Sequence, residues 1–290
     1  MIRTSVLALI AVMFTVNGYS QGIQAFEIYN AKGKKVSYKK MLKKLSKEDI
    51  TLFGEYHNNS IVHWLQLELT KDMGEDHELI LGAEMFEQDN QVSLSDYVQG
   101  RIDDAALDSL ARLWPNYYTD YKPLVDYAKA NNLEFIATNI PRRFANRVYH
   151  YGFETLDSLS MQEKQWVAPL PIAYDAELPG YKAMIEMMGN HGTETLPMAQ
   201  ASKDATMAHF ILSYYTPERQ VEGAKFIHYN GSYHSNNYEG INWYLKRERP
   251  DVNIGTIATV TQENVKKLLD ENKGLADFII CVDEDVTVTH

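Results

Sequence analysis

Short apolar runs of strand length recur along the chain, each stopping at polar residues. Residues 50–53, 79–81, 133–137, 225–229, 252–257 and 277–280 are rich in β-branched and aromatic side chains. Helical spacing fills most of the gaps between them: Val62, Leu65, Leu69 and Met73 recur at intervals of three and four, and Leu124, Val125 and Ala128 share one face. Strands apolar on both faces, alternating with helices, predict an α/β fold with a mostly parallel central sheet flanked by helices. The alternation breaks from about 143 to 222. No strand pattern is found there, residues 181–188 and 204–215 read as helices, and Pro169, Pro171, Pro179, Pro197 and Pro217 punctuate the stretch. This segment is expected to be a helical insertion capping the C-terminal ends of the strands.

Composition narrows the reading. The chain has 290 residues, and 28 Lys and Arg against 39 Asp and Glu leave a net charge of −11. Such a chain repels polyphosphate, so nucleic acid is excluded as a partner. A chain of this length buries roughly three quarters of its unfolded surface, so a metal or cofactor would be there for function rather than for folding. Cys281 is the only cysteine, which excludes internal disulfides, Cys-rich zinc sites and cysteine-ligated iron–sulfur clusters. It follows the apolar Phe278, Ile279 and Ile280, as an inert buried thiol would.

Residues 1–20 read as a signal peptide. Arg3 supplies the positive start, residues 6–16 are almost wholly apolar, and a polar exit from Asn17 to Gln21 places cleavage near Ser20 or Gln21. The apolar run is shorter than the roughly 20 residues a bilayer demands. Residues 21–290 then form a single domain in the periplasm or outside the cell. The cleavage region has no lipobox cysteine, so a lipid anchor is not expected.

Candidate chemistry gathers where the apolar runs end. Open α/β sheets bind ligands beyond the carboxyl ends of their strands, where the loops diverge. Glu55 and His57 follow the first run, Glu84 the second, Asn139, Arg142 and Arg143 the third, and His234 the fourth. Burying several charges at one rim costs several kcal/mol each unless they serve a purpose. His57 and His234, with Glu84 or Glu55, would make a nitrogen and oxygen set for zinc, manganese or iron, with an open position for water. Glu55, His57, Glu84 and His234 could then carry hydrolysis, or acid–base work without a metal.

Taken in order, these motifs resemble the ChaN-like haem-binding family. They are Gly54-Glu55-Tyr56-His57 with His63; Glu84-Met85-Phe86 with Gln91; Trp114 with Tyr121-Lys122-Pro123-Leu124; Asn139-Ile140-Pro141-Arg142; Asp204-Ala205-Thr206-Met207-Ala208; and Gly231-Ser232-Tyr233-His234. The resemblance implies a bacterial envelope protein of iron and haem acquisition that binds haem through a tyrosine, with a homodimer and outer-membrane or periplasmic uptake components as partners. The paired Gly-x-x-His elements with a Glu between them also resemble the broader Tiki/TraB and erythromycin-esterase-like group. That second likeness implies a metal-dependent protease or esterase, so whether the chain is an enzyme stays open. For haem, Tyr181 and His191 of the insertion are the first ligand pair to test, and Arg142 and Arg143 are candidates to pair with the propionates.

Overall fold

The computed structural model describes residues 23–188 and 194–290, so the expected signal peptide and His191 lie outside the described residues. Among the described residues, one sheet is built from β1 (Phe26–Asn30), β2 (Ile50–Glu55), β3 (Leu79–Glu87), β4 (Glu134–Asn139), β5 (Lys225–Gly231), β6 (Ile254–Gln262) and β7 (Phe278–Asp283). The order is β1-β7-β6-β2-β5-β3-β4, parallel throughout except that β1 runs antiparallel to β7. Each apolar run became a strand, and the mostly parallel sheet flanked by helices is the predicted class. The pattern missed β1, a five-residue edge strand pairing on one side only, where register is set by β7 and not by its own alternation.

Helices cover both faces. On one side lie α1 (Tyr38–Leu45), α2 (Ser60–Gly74), α3 (Gln91–Val98), α4 (Asp104–Leu110) and α5 (Lys122–Asn131), packed against Phe53, Leu81, Ala83, Ile227 and Tyr229. The predicted stripe of α2, Val62, Leu65, Leu69 and Met73, is fully buried in this layer. On the other side α6 (Arg142–Tyr151), α8 (Leu196–Tyr214) and α10 (Ile241–Glu248) pack against Ile50, Leu52, Ile80, Ile136 and Phe226, while α7 (Pro179–Met188) and α9 (Pro217–Glu222) complete the insertion. Each large apolar side chain fully buried this way contributes about 1.5–3 kcal/mol, enough to offset ionisable groups at the sheet's rim.

The insertion is helical, as expected, yet it does more than cap. Helix α8 packs along β3 and β4 and forms part of the covering layer, burying Ala205, Met207, Ala208 and Ile211. Its first half reaches the C-terminal rim, carrying Gln200, Lys203 and Asp204 there. Pro197 sits in its first turn, where a missing N–H costs nothing. Cys281 is buried in β7, and burial pushes its thiol up to about 11.

Candidate functional site

Register places the rim. Glu55 of β2 stands opposite Gly231 of β5, and Gly54 opposite Asn230. The β3–β4 register shifts between Ala83 and Glu87, with Asn139 opposite Glu87; such an irregularity re-aims a side chain, here that of Glu84. The glycines of both Gly-x-x-His elements are there because nothing larger fits. A Cβ on Gly54 would lie 2.7 Å from the Ile257 carbonyl oxygen, and one on Gly231 would lie 2.8 Å from His57 Nε2. Gly231 therefore allows His57 to approach Glu84, and the Gly231 N–H donates to Glu84 Oε2 at 2.7 Å.

Two histidine–carboxylate groups meet at this point. In the first, His57 Nδ1 lies 2.8 Å from Glu55 Oε1, and Tyr121 donates its hydroxyl to the same oxygen at 2.9 Å. Gln66 on α2 donates to Glu55 Oε2, and His63 holds the other end of that carboxamide, its Nδ1 3.1 Å from Gln66 Oε1. Asn116 donates to the His57 carbonyl oxygen at 2.7 Å, and Trp114 meets the His57 ring edge-on at 4.9 Å. Tyr121 ends a π-helical turn, Tyr117–Tyr121, a local widening often found at functional positions. In the second group, His234 is held between two acids: Nδ1 is 2.5 Å from Asp204 Oδ1 and Nε2 is 3.1 Å from Glu84 Oε1. The Gln200 carboxamide lies 2.8 Å from His234 Nδ1.

Charge follows from this packing. Burial opposes protonation of His234, but the charges of Glu84 and Asp204 and their hydrogen bonds outweigh it and push the imidazole up to about 9. Burial likewise opposes ionisation of Glu84, yet the charge and hydrogen bond of His234, with His57 and Lys203 behind it, hold the carboxyl far below the usual range. Asp204 is raised, chiefly by burial, against the pull of His234. His57 is raised too: burial works against it, and the Glu55 hydrogen bond with the charges of Glu84 and Glu55 prevails.

The cluster forms one end of a cavity of about 860 Å³, whose wall includes Tyr56, His57, Trp114, Ile140, Tyr233, Arg112, Arg142 and Lys203. This is the size of a site for a ligand of several hundred daltons. The carboxyl-terminal strand of residues crosses its edge. Asn59 bridges to Val288, Thr289 donates its N–H to the Asn58 carbonyl at 2.9 Å and its hydroxyl to Asp120 at 2.6 Å, and His290 joins the wall.

Glu55, His57, Glu84 and His234 thus converge from separate segments. Each ring nitrogen of His234 faces a carboxylate. Among the described residues no three His, Cys, Asp or Glu side chains are arranged to hold a metal ion, so the expected zinc or manganese centre at His57, Glu84 and His234 has no ligand set. Arg142 lies on the cavity wall. Arg143 does not: its guanidinium pairs with Asp89 at 2.5 Å and lies 4.4 Å from the Phe144 ring. Tyr181 stacks on Tyr174 and donates to Asp204 at 3.1 Å. Burial and the Asp204 charge push its phenol far above the ordinary range, away from the tyrosinate that ferric iron takes.

Asp204, Gln66, Gln200 and Lys203 carry parts of the site that sequence reasoning left without a role. For Asp204 the signal was its place at the head of the Asp204-Ala205-Thr206-Met207-Ala208 motif. Gln66 was legible only as the residue three after His63, on the same face of α2.

Known proteins resemble this chain to different degrees. ChaN of Campylobacter jejuni, described with cofacial haem binding, superposes with a TM-score of 0.64 at 17% identity, covering 88% of this chain and 96% of that one. An erythromycin esterase in its open conformation gives a TM-score of 0.44 at 11% identity over 82% of this chain and 77% of its own. Protein RETICULATA-RELATED 5 of Arabidopsis thaliana, a chloroplast protein, is 24% identical over 153 residues, 51% of this chain. The match spans only 20% of that curated relative's length. A family model described as haem-binding uptake, Tiki superfamily, ChaN matches residues 41–245, most of both helical layers and the whole rim from Glu55 to His234. The chain belongs to this ChaN family of haem-binding uptake proteins.

Proposed function

We propose that this protein binds haem at the cavity on its strand rim and serves in bacterial haem and iron acquisition after export to the periplasm or the medium. The family match over residues 41–245 carries the reading. The donor set of the wall supports it. Trp114, Ile140, Tyr56 and Tyr233 offer aromatic and apolar surface to a flat macrocycle, and Arg142 and Lys203 offer cations to its carboxylates. His57 and the phenols of Tyr56 and Tyr233 supply atoms that bind ferric iron when deprotonated or neutral as required. Tyr56 is the phenol to test first, because its ring is substantially exposed on the wall, whereas Tyr181 is buried against Asp204. Export rests on Arg3 and the apolar run of residues 6–16. A second copy and envelope haem-uptake components are the partners this reading expects.

Titrating purified protein with hemin is expected to give a saturable Soret band distinct from that of free hemin, with a high-spin spectrum of tyrosinate type. A spectrum that remains the sum of free hemin and protein refutes the reading. Tyr56→Phe is expected to change the bound spectrum; an unchanged spectrum removes Tyr56 as ligand and leaves haem binding intact.

A further inference from the structure

Positive groups around this rim are mostly paired. Arg112 is bonded to Glu87, Arg143 to Asp89, His57 to Glu55, and His234 to Glu84 and Asp204. Two cations on the same wall are exceptions: among the described residues neither the Arg142 guanidinium nor the Lys203 ammonium has an anionic partner. In a chain with 39 acidic residues and 28 basic ones, leaving two cations unpaired beside a cavity needs a reason. Their placement supplies one. Arg142 opens α6 and Lys203 lies on α8, two helices packed together. Both side chains line the main cavity and also a neighbouring one of about 270 Å³ that they share with Gln200. They therefore stand at the junction of the two spaces, where the edge of a ligand filling the larger one would arrive. Lys203 is close enough to the buried cluster for its charge to favour ionised Glu84, which places it at the inner end of that junction.

We propose that Arg142 and Lys203 are the carboxylate-binding edge of the cavity, and that haem docks with its two propionates toward the α6–α8 junction. The assignment rests on the haem-binding reading above and adds the orientation of the ligand and the residues that fix it. Haem carries both carboxylates on one side of the ring, and two cations on adjoining helices match that pair. A planar guanidinium accepts a carboxylate in two parallel hydrogen bonds and the ammonium supplies a point charge, so the two side chains have distinct roles.

The test compares hemin with hemin dimethyl ester, in which both carboxylates are masked, under one detergent condition. Wild-type protein is expected to bind hemin at least about tenfold more tightly than the ester, and to lose that preference as salt is raised. Arg142→Gln and Lys203→Gln are each expected to weaken hemin binding by about tenfold while leaving the ester unchanged, and the double variant to bind the two alike. Arg142→Lys, which keeps the charge and loses the fork, is expected to retain part of the preference. Equal wild-type affinity for hemin and ester, or a double variant that keeps the wild-type preference, overturns the assignment while haem binding stands. A wild-type protein that binds neither porphyrin overturns the haem reading itself, and the assignment with it. If the double variant fails to fold, the single variants carry the same comparison, and hemin affinity unchanged in both overturns the assignment.

Discussion

Asp204→Asn keeps the shape of the side chain and removes one of the two charges that hold His234. In the wild type the imidazole is pushed from its ordinary 6.5 up to about 9 by Glu84 and Asp204 against the cost of burial. At about 1.4 kcal/mol per pH unit, that interval is a net preference of roughly 3 kcal/mol for the imidazolium. The cost of burial stays when Asp204 is neutralised, so more than half of the preference goes and the titration midpoint should fall to about 7 or below. Because the folded value is raised above the unfolded one, His234 contributes its full stability below about 6.5 and loses it as pH rises through about 9. Urea unfolding of the wild type should therefore weaken by roughly 2 kcal/mol more than that of the variant between these two pH values. The midpoint is read from nitrogen-15 histidine spectra, with His234→Gln for assignment. A variant midpoint within about half a pH unit of the wild type, or a wild-type imidazole titrating near 6.5, would refute the electrostatic account of the cluster.

Other outcomes follow from single contacts. Gly54→Ala should cost about 2–4 kcal/mol in urea unfolding, because its Cβ would sit 2.7 Å from the Ile257 carbonyl oxygen and 3.0 Å from Ser232 Cα, backbone atoms that cannot step aside; a variant as stable as the wild type would mean the strands separate easily. Tyr121→Phe removes a donor that competes with His57 for Glu55 Oε1, so stability should drop by about 1 kcal/mol and the His57 titration should move up, and a downward move counts against the network drawn around Glu55. The Cys281 thiol, buried and pushed up to about 11, should react with an aromatic disulfide reagent only as fast as the protein unfolds; immediate labelling would place it at the surface.

How far the sequence reaches depends on what each residue has to signal. Strands buried on both faces announce themselves, so β2 through β7 were readable from their apolar runs, whereas β1 is an edge strand whose pairing is written in β7. His57, Glu84 and His234 were readable as rim residues because each follows a strand in a fold that exposes strand ends. Their mutual arrangement was not. A metal centre and an ion-pair cluster use the same residue types, and the ion pairs seen here depend on Asp204, which α8 of the insertion delivers to His234. Arg142 and Arg143 are neighbours in sequence, but a helix turns successive side chains about 100° apart, so only Arg142 reaches the cavity while Arg143 packs toward Asp89.

The anchoring of Thr289 on Asn58 and Asp120, with His290 in the cavity wall, bears on how the protein is handled in the laboratory. Residues added after His290 would begin at the cavity wall. An oligohistidine purification tag attached there would bring extra imidazoles within reach of an incoming porphyrin, and imidazole is itself an iron ligand. Spectra from such a preparation would report the tag as readily as the protein, so a cleavable fusion that replaces residues 1–20 at the opposite terminus is the design that keeps the optical signal interpretable.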